Sequence, residues 1–346
     1  MRSYFAVVLS SLLVVSSAFA SDYCAPVRLD GASGSMSAIR PQVQGNLNIC
    51  AFNSMAVMVD AMLAENAIEG TPVHITSPLA LAVQRFSQPI ALKTNRPQGK
   101  FFFEHSTSYC ADFAALMDAG LGSCNESAMA TGIVKHFPEP SWWEWLSNLN
   151  LYVSLDQIRR YADTLGNQET SILVGDQPLY QGFFLEKVIN KLGGDQSLIE
   201  VVNQACRGKN FRALQFQCHS ELETQGVSFV ENQDAAVNKL HNLLDSTNGQ
   251  PLAVSFCNEA LTEREKNQLK FQAATGELSS CSTHSVVAIG RRRATNGSCQ
   301  ILLRNSQGVS CSDYAFPENC ESGYAYWIDE DHLRGNIVNL AYLYKK

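Results

Sequence analysis

Three residues with the side chains of a nucleophilic catalyst stand at the boundaries of apolar segments. Cys50 opens an apolar helical pattern, His284 begins an apolar strand pattern, and Asn305 ends another. A thiol, an imidazole and a carboxamide are the parts of a thiolate nucleophile, its general base and the group that orients the base. Gln44 precedes Cys50 by six residues and is placed to direct its side-chain amide, together with the N–H of Cys50, at a developing oxyanion. These residues predict a cysteine hydrolase.

The position of Cys50 at a helix start should activate its thiol. The positive end of a helix and a neighbouring imidazolium both lower a thiol pKa, so we expect a lowered pKa for Cys50. His284 would hold the proton and later deliver it to the leaving amine. Asn305, 21 residues further along, would accept a hydrogen bond from the other ring nitrogen.

The chain contains an odd number of cysteines, eleven in all. They are Cys24, Cys50, Cys110, Cys124, Cys206, Cys218, Cys257, Cys281, Cys299, Cys311 and Cys320. In an oxidising compartment, five disulfides and one free catalytic thiol, Cys50, account for this number. The connectivity cannot be read from the sequence, although short loops favour Cys311–Cys320 and Cys110–Cys124. With no Cys-x-x-Cys pair and scattered histidines, neither a zinc site nor any other cofactor is predicted.

The first residues of the chain have the pattern of a secretory signal peptide. Arg2 precedes an apolar stretch, and Ala18-Phe19-Ala20 forms a small-x-small cleavage site before Ser21. No later segment has the length of a membrane helix. We therefore expect a soluble protein without a membrane span, exported to the periplasm or secreted.

The charge of the chain argues against a nucleic-acid partner. The formal net charge is −7, and no basic stripe occurs along the sequence. The arginine triplet at 291–293 is isolated, and we interpret it as a solvated turn.

Helical patterns dominate the first part of the chain, and strand patterns follow Pro251. Residues 50–65 are apolar on almost all sides, which predicts a buried central helix. Other helical patterns lie at 77–83, 112–119, 158–165, 182–192, 197–206 and 234–245. Strand patterns lie at 252–256, 285–289, 300–304, 324–328 and 337–344. This order of elements predicts an α+β protein.

Four short motifs, in this order, resemble those of the papain-like cysteine peptidase family. Residues 44–50 are similar to its Gln-Gly-x-x-x-x-Cys motif and residues 284–290 to its His-Ala-Val-x-x-Val-Gly motif. Residues 305–308 are similar to its Asn-Ser-Trp-Gly motif and residues 323–328 to the Gly-Tyr-x-x-Ile motif that follows. The resemblance covers about residues 42–132 and 236–346.

This resemblance implies a two-lobed fold with the active-site cleft between a helical lobe and an antiparallel β-barrel lobe. It implies that Cys50, His284 and Asn305 are catalytic and that Gln44 contributes to the oxyanion hole. His284 lies 234 residues after Cys50 (284 minus 50), beyond the roughly 130–150 typical of the family. The expected division is a signal peptide at 1–20, a helical lobe at 21–135, a helical insertion at 136–235 and a β-rich lobe at 236–346.

Two positions depart from the family pattern beside the expected catalytic residues. Ala51 replaces the aromatic residue that normally follows the nucleophile. Gln307 replaces the tryptophan that normally shields the bond between asparagine and histidine, so we expect more water around that bond.

The sequence therefore predicts an exported cysteine peptidase that cleaves proteins or peptides through a Cys50 thioacyl intermediate. The helical insertion would cover the cleft or bind a protein inhibitor or partner. One alternative is an amidase or acyl transferase that acts on cell-wall peptides with the same catalytic residues. Another alternative is a catalytically impaired papain-like binding module, with Ala51 and Gln307 as traces of relaxed catalysis.

Overall fold

An antiparallel sheet packs against a buried helix in the computed structural model of this chain. The structure describes residues 23–39, 41–42, 49–65, 75–86, 109–118, 122–125, 173–174, 177–178, 200, 202–204, 206, 211–213, 216–221, 229–246, 249–262, 283–307, 310–322 and 324–345. The predicted α+β class is confirmed, because helices predominate before Pro251 and sheet strands after it. The helices predicted at 158–165 and 182–192 lie outside the described residues.

Helix α1 (Cys50–Glu65) is the central helix that the sequence predicts. Residues 50–62 are all buried, which fits a helix with apolar side chains on every side and no glycine or proline. The helical hydrogen bonds begin at Asn53, whose N–H donates to the carbonyl of Ile49 at 2.9 Å. The buried carboxylate of Asp60 accepts the N–H of Thr76 at 2.8 Å, which ties α1 to the segment before the next helix.

The remaining helices are shorter or more amphipathic than α1. In chain order they are α2 (Pro78–Phe86), α3 (Tyr109–Asp118), α4 (Phe229–Leu244), α5 (Glu259–Thr262) and α6 (Glu330–Arg334). Helix α2 starts at Pro78 because the preceding Ser77 hydroxyl accepts the N–H of Ala80 at 3.3 Å. None of the helices that the structure describes combines the length and the apolar composition that crossing a bilayer requires.

The main sheet has eight strands, and all of its neighbouring strands are antiparallel. The strands of the chain are β1 (Val27–Arg28), β2 (Gly122–Cys124), β3 (Leu173–Val174), β4 (Gln177–Pro178), β5 (Phe211–Ala213), β6 (Phe216–Glu221), β7 (Leu252–Cys257), β8 (Thr283–Arg293), β9 (Cys299–Arg304), β10 (Cys320–Ser322), β11 (Ala325–Asp329) and β12 (Ile337–Lys345). The main sheet runs in the order β10-β11-β9-β8-β7-β12-β6, and β1 pairs with β8. Strands β2 and β5 form one small sheet, and β3 and β4 another. The long central strand β8 thus has β7, β9 and β1 as partners.

Two expectations about the sheet need correction. The predicted β-barrel is not closed, because the strand order within the described residues has two separate ends, β10 and β6. Strand β6 lies inside the segment predicted as a helical insertion, yet it pairs along its whole length with β12 of the main sheet. Pairing with a distant strand is not visible in local sequence patterns. The division into lobes and insertion otherwise stays a prediction.

Disulfides join distant parts of the described chain. They link Cys24 to Cys299, Cys110 to Cys218, Cys124 to Cys206 and Cys311 to Cys320. The predicted Cys311–Cys320 pair is therefore confirmed, and the predicted Cys110–Cys124 pair is wrong. Cys257 is also disulfide-bonded, and Cys50 is the free cysteine of the described chain.

The arginine triplet is not the solvated turn that we predicted, because it lies within β8. The Arg291 side chain is only 2% exposed. Its guanidinium lies 3.0 Å from His241 Nδ1, donates to the carbonyl of Ala25 at 2.7 Å and pairs with the Asp245 carboxylate. Since His241 in turn bonds to the buried Glu330 at 2.8 Å, Arg291 is the centre of a network that fixes the N-terminal segment to α4 and α6.

Replacing Arg291 should therefore destabilise the fold much more than replacing Arg293 on the same strand. An Arg291→Met substitution leaves buried acceptors without their donor and should lower the free energy of unfolding by about 2–4 kcal/mol. Arg293 is exposed and donates to the carbonyl of Gly297, so Arg293→Met should change it by less than about 0.5 kcal/mol. Urea unfolding of both variants measures the difference. Equal effects would show that the network does not stabilise the protein.

Candidate active site

Cys50 lies at the first residue of α1, where the N–H groups of the first helical turn lack helical partners. The N–H groups of Cys50 and Ala51 lie at the sulfur's end of the helix and act to lower the pKa of the thiol. The N–H and the hydroxyl of Ser285, the third residue of the long strand β8, act on the sulfur in the same direction. The helix start and the strand start therefore meet at this sulfur.

The lowered pKa that we predicted for Cys50 is wrong. Burial raises the pKa of the Cys50 thiol, while the hydrogen bonds from Ser285, Ala51 and its own N–H act in the opposite direction. Cys50 is only 5% exposed, so the penalty for desolvating a thiolate outweighs its donors.

His284 and Asn305 form a buried, directly bonded pair. His284 is 3% exposed and Asn305 is 2% exposed, and the ring Nε2 lies 2.8 Å from Asn305 Oδ1. The Asn305 amide donates through Nδ2 to the Tyr314 hydroxyl at 2.9 Å, which turns its oxygen toward the histidine. Nε2 therefore carries a proton, and Nδ1 is the nitrogen of the ring that can accept one.

The strands that carry His284 and Asn305 also hold the two side chains in place. His284 is directly opposite Phe256 in the β7–β8 pair, and the two rings meet edge-on with centroids 6.2 Å apart. Asn305 follows β9, and its N–H donates to the carbonyl of Tyr324 at 2.8 Å. The imidazole is thus oriented by an apolar ring on one strand and a carboxamide after another.

The structure joins two of the four predicted site residues directly and places a third beside the strand that carries the histidine. His284 bonds directly to Asn305, and Cys50 contacts Ser285, the residue next to His284. Gln44 lies outside the described residues, so its place in an oxyanion hole stays a prediction.

Tyr314 is a site residue that sequence reasoning missed. It is buried, and its ring stacks on that of Tyr326 with centroids 4.5 Å apart. Its hydroxyl holds Asn305, and the backbone N–H of Gln307 donates to the same asparagine's Oδ1 at 3.2 Å. The expectation of more water around the bond between His284 and Asn305 is wrong, because both side chains are buried although Gln307 replaces the tryptophan. No motif signals Tyr314, which follows a short 3-10 helix (Cys311–Asp313) inside the Cys311–Cys320 loop.

One further group of side chains has metal-ligand chemistry. Ligand atoms of His241, Cys299 and Glu330 lie within 4.8 Å of one another. Cys299 is bonded to Cys24, and His241 contacts Glu330 through Nε2 and Arg291 through Nδ1. These atoms already have partners, so the group is an ion-pair network rather than a ligand set.

Comparisons with other proteins find similarity only among solved structures. No family model and no curated protein matches the sequence. Xylellain, a cysteine protease from Xylella fastidiosa, is 11% identical with a TM-score of 0.43, over 93% of this chain and 86% of that chain. Digestive procathepsin L 3 of Tenebrio molitor larval midgut is 14% identical with a TM-score of 0.42, over 94% and 71%. The bromelain protease from Ananas comosus is 9% identical with a TM-score of 0.40, over 90% of this chain and 95% of that chain. Likenesses at this level assign no function to this chain.

A Tyr314→Phe substitution tests how Asn305 is held. Losing the hydroxyl leaves a buried amide donor unpaired, so the free energy of unfolding should fall by about 1–2 kcal/mol. The proton on His284 Nε2 should exchange faster with solvent, which NMR of the imidazole signals measures. Tyr344→Phe, at an exposed position on β12, should change neither quantity. An unchanged exchange rate in Tyr314→Phe would mean that Asn305 needs no support from Tyr314.

Proposed function

We propose that this chain is an exported cysteine peptidase that hydrolyses peptide bonds through a thioacyl intermediate on Cys50. The observation that carries this proposal is the meeting of a free cysteine at a buried helix start with the strand of an oriented histidine. Cys50 is the nucleophile, His284 the general acid and base, and Asn305 the residue that orients it.

The first step joins substrate and enzyme. As the Cys50 sulfur attacks the carbonyl carbon of a peptide bond, His284 Nδ1 takes the thiol proton and a C–S bond forms. The carbonyl oxygen becomes negative and is stabilised by the N–H of Cys50 and the side-chain amide of Gln44. Since burial raises the pKa of the Cys50 thiol, the proposed mechanism has His284 remove the proton during the attack.

The next steps release the two products. The His284 imidazolium gives its proton to the leaving nitrogen as the C–N bond breaks, and a thioester remains on Cys50. His284 then takes a proton from water as the water oxygen attacks the thioester carbon. The C–S bond breaks, a carboxylic acid leaves, and the thiol recovers its proton from His284. Asn305 Oδ1 accepts from Nε2 throughout, which stabilises each imidazolium.

The buried histidine–asparagine pair favours an enzyme over the alternative of a binding module. Gln307 was one reason to consider impaired catalysis, since it replaces a shielding tryptophan. Asn305 donates instead to the Tyr314 hydroxyl, and the histidine–asparagine pair is buried without that tryptophan. A module that only binds a partner has no need for an imidazole whose tautomer is fixed in this way.

Disulfides support export to an oxidising compartment, the periplasm or the extracellular space. Four are described, and they join positions up to 275 residues apart. Such crosslinks are rare in a reducing cytosol. The proposed substrates are proteins or peptides, and the segment at 136–235 remains the proposed surface for an inhibitor or partner.

Cys50→Ala and His284→Ala should each reduce turnover of a denatured, fluorescently labelled protein by at least about 10³-fold. The variants should keep the circular dichroism spectrum and cooperative unfolding of the parent. His219→Ala, which removes an exposed histidine of β6, should retain full turnover. Turnover that persists in Cys50→Ala would remove the assignment.

The same assay separates the peptidase from the two alternatives. The proposal expects cleavage of the denatured protein and labelling of Cys50 by an irreversible epoxide that His284→Ala slows. Cleavage of a cross-linked cell-wall peptide with no cleavage of the protein would favour the amidase or acyl transferase. No turnover, with epoxide labelling that His284→Ala leaves unchanged, would favour the binding module.

A further inference from the structure

Three hydroxyl groups form a chain beneath the active site that ends at Cys50. Ser255 Oγ lies 3.0 Å from the Tyr109 hydroxyl and 3.1 Å from Ser285 Oγ. The Ser285 hydroxyl in turn acts on the Cys50 sulfur, where it lowers the pKa of the thiol. Tyr109 also interacts with the hydroxyl of Ser285 and with that of Ser54, one turn further along the nucleophile helix. The chain therefore connects α3, β7 and β8 to both ends of the first turn of α1.

All three hydroxyls are buried and held by rigid elements. Tyr109 and Ser255 are completely buried, and Ser285 nearly so. Ser255 and Ser285 are directly opposite each other in the β7–β8 pair, which fixes their separation. Tyr109 lies next to Cys110, whose disulfide to Cys218 attaches α3 to β6.

Packing alone does not explain these residue types. The strand segments around both serines are apolar, and alanine or phenylalanine would fill the same space without a polar group to satisfy. Buried hydroxyls are stable only when each finds a partner, and here the partners lead from one element to the next until they reach the nucleophile.

We infer that Tyr109, Ser255 and Ser285 are positioning residues for the Cys50 sulfur, joined in a chain of hydroxyls that stabilises the sulfur when it becomes negative. This inference rests on the proposed function and adds residues that act through Ser285.

The chain can reverse its direction as the sulfur loses its proton. In the structure Ser255 donates to Tyr109. Each hydroxyl is both a donor and an acceptor, so rotation of three hydrogens lets Tyr109 donate to Ser255, Ser255 to Ser285 and Ser285 to the sulfur. Hydrogen bonds to an ionised acceptor are roughly twice as strong as neutral ones, and aligned bonds strengthen one another. The reversed chain therefore opposes the effect of burial, which raises the pKa of Cys50.

The pH dependence of Cys50 alkylation by iodoacetamide tests this inference. In Tyr109→Phe the ring stays and the last donor is lost, so the midpoint of the labelling profile should rise by about 0.5–1 pH unit. The labelling rate below the midpoint should then fall by about 3–10-fold. Ser285→Ala removes the donor that touches the sulfur and should shift the profile further in the same direction.

A matched pair at Ser255 separates a role in positioning from a loss of packing. Ser255→Ala removes the hydroxyl that bonds to both Tyr109 and Ser285 and should shift the profile in the same direction as Tyr109→Phe, whereas Ser255→Thr keeps a hydroxyl and should restore it. Tyr342→Phe, which removes a hydroxyl from a half-buried tyrosine on β12, should leave the profile unchanged. If Tyr109→Phe fails to fold, the Ser255 pair decides the question.

The outcomes distinguish this inference from the proposed function. An unchanged labelling profile in folded Tyr109→Phe and Ser255→Ala would overturn the hydroxyl chain, whatever the turnover. A similar loss of labelling in Ser255→Ala and Ser255→Thr would also overturn it. A shifted profile in a protein that cleaves no peptide would support the chain and overturn the peptidase.

Discussion

The site depends on the packing of the first turn of α1 against the start of β8. Cys50 and Ser285 meet there, and the next residue back along the strand is His284. A helix start offers unpaired N–H groups, and a strand start offers a side chain held at a fixed angle. If these two ends separated by a few ångströms, the thiol and the imidazole would each be ordinary buried side chains.

The rest of the fold maintains this contact from several directions. Helix α1 is buried on all sides, so it cannot rotate without disturbing the core. Strand β8 is paired on both edges, and Arg291 ties its far end to the N-terminal segment. Arg304, the residue before Asn305, donates to the carbonyl of Ile39 at 2.8 Å in that same segment. The sheet, the N-terminal segment and the nucleophile helix therefore fix one another's positions.

Local patterns in the sequence were enough to predict the elements that carry the site. The helix at 50–65 and the strands that hold His284 and Asn305 follow from apolar periodicity and were confirmed. The contributions of Tyr314 and Tyr109 and the burial of Arg291 could not be predicted from the sequence, because they depend on contacts between distant segments. Ser255 and Tyr109, for example, are 146 residues apart. The predicted direction of the shift in the Cys50 pKa was wrong for a related reason. A helix start is visible in the sequence, whereas the extent of burial around it depends on the whole packed core.

Acid-quench mass spectrometry tests the central claim most directly. A peptide ester forms the thioester faster than water removes it, so the intermediate should accumulate when the protein is mixed with such a substrate and quenched in acid. The account predicts that the proteolytic fragment containing Cys50 gains the mass of the acyl group, and that His284→Ala prevents this gain. Product that accumulates while Cys50 never carries an acyl group would contradict it.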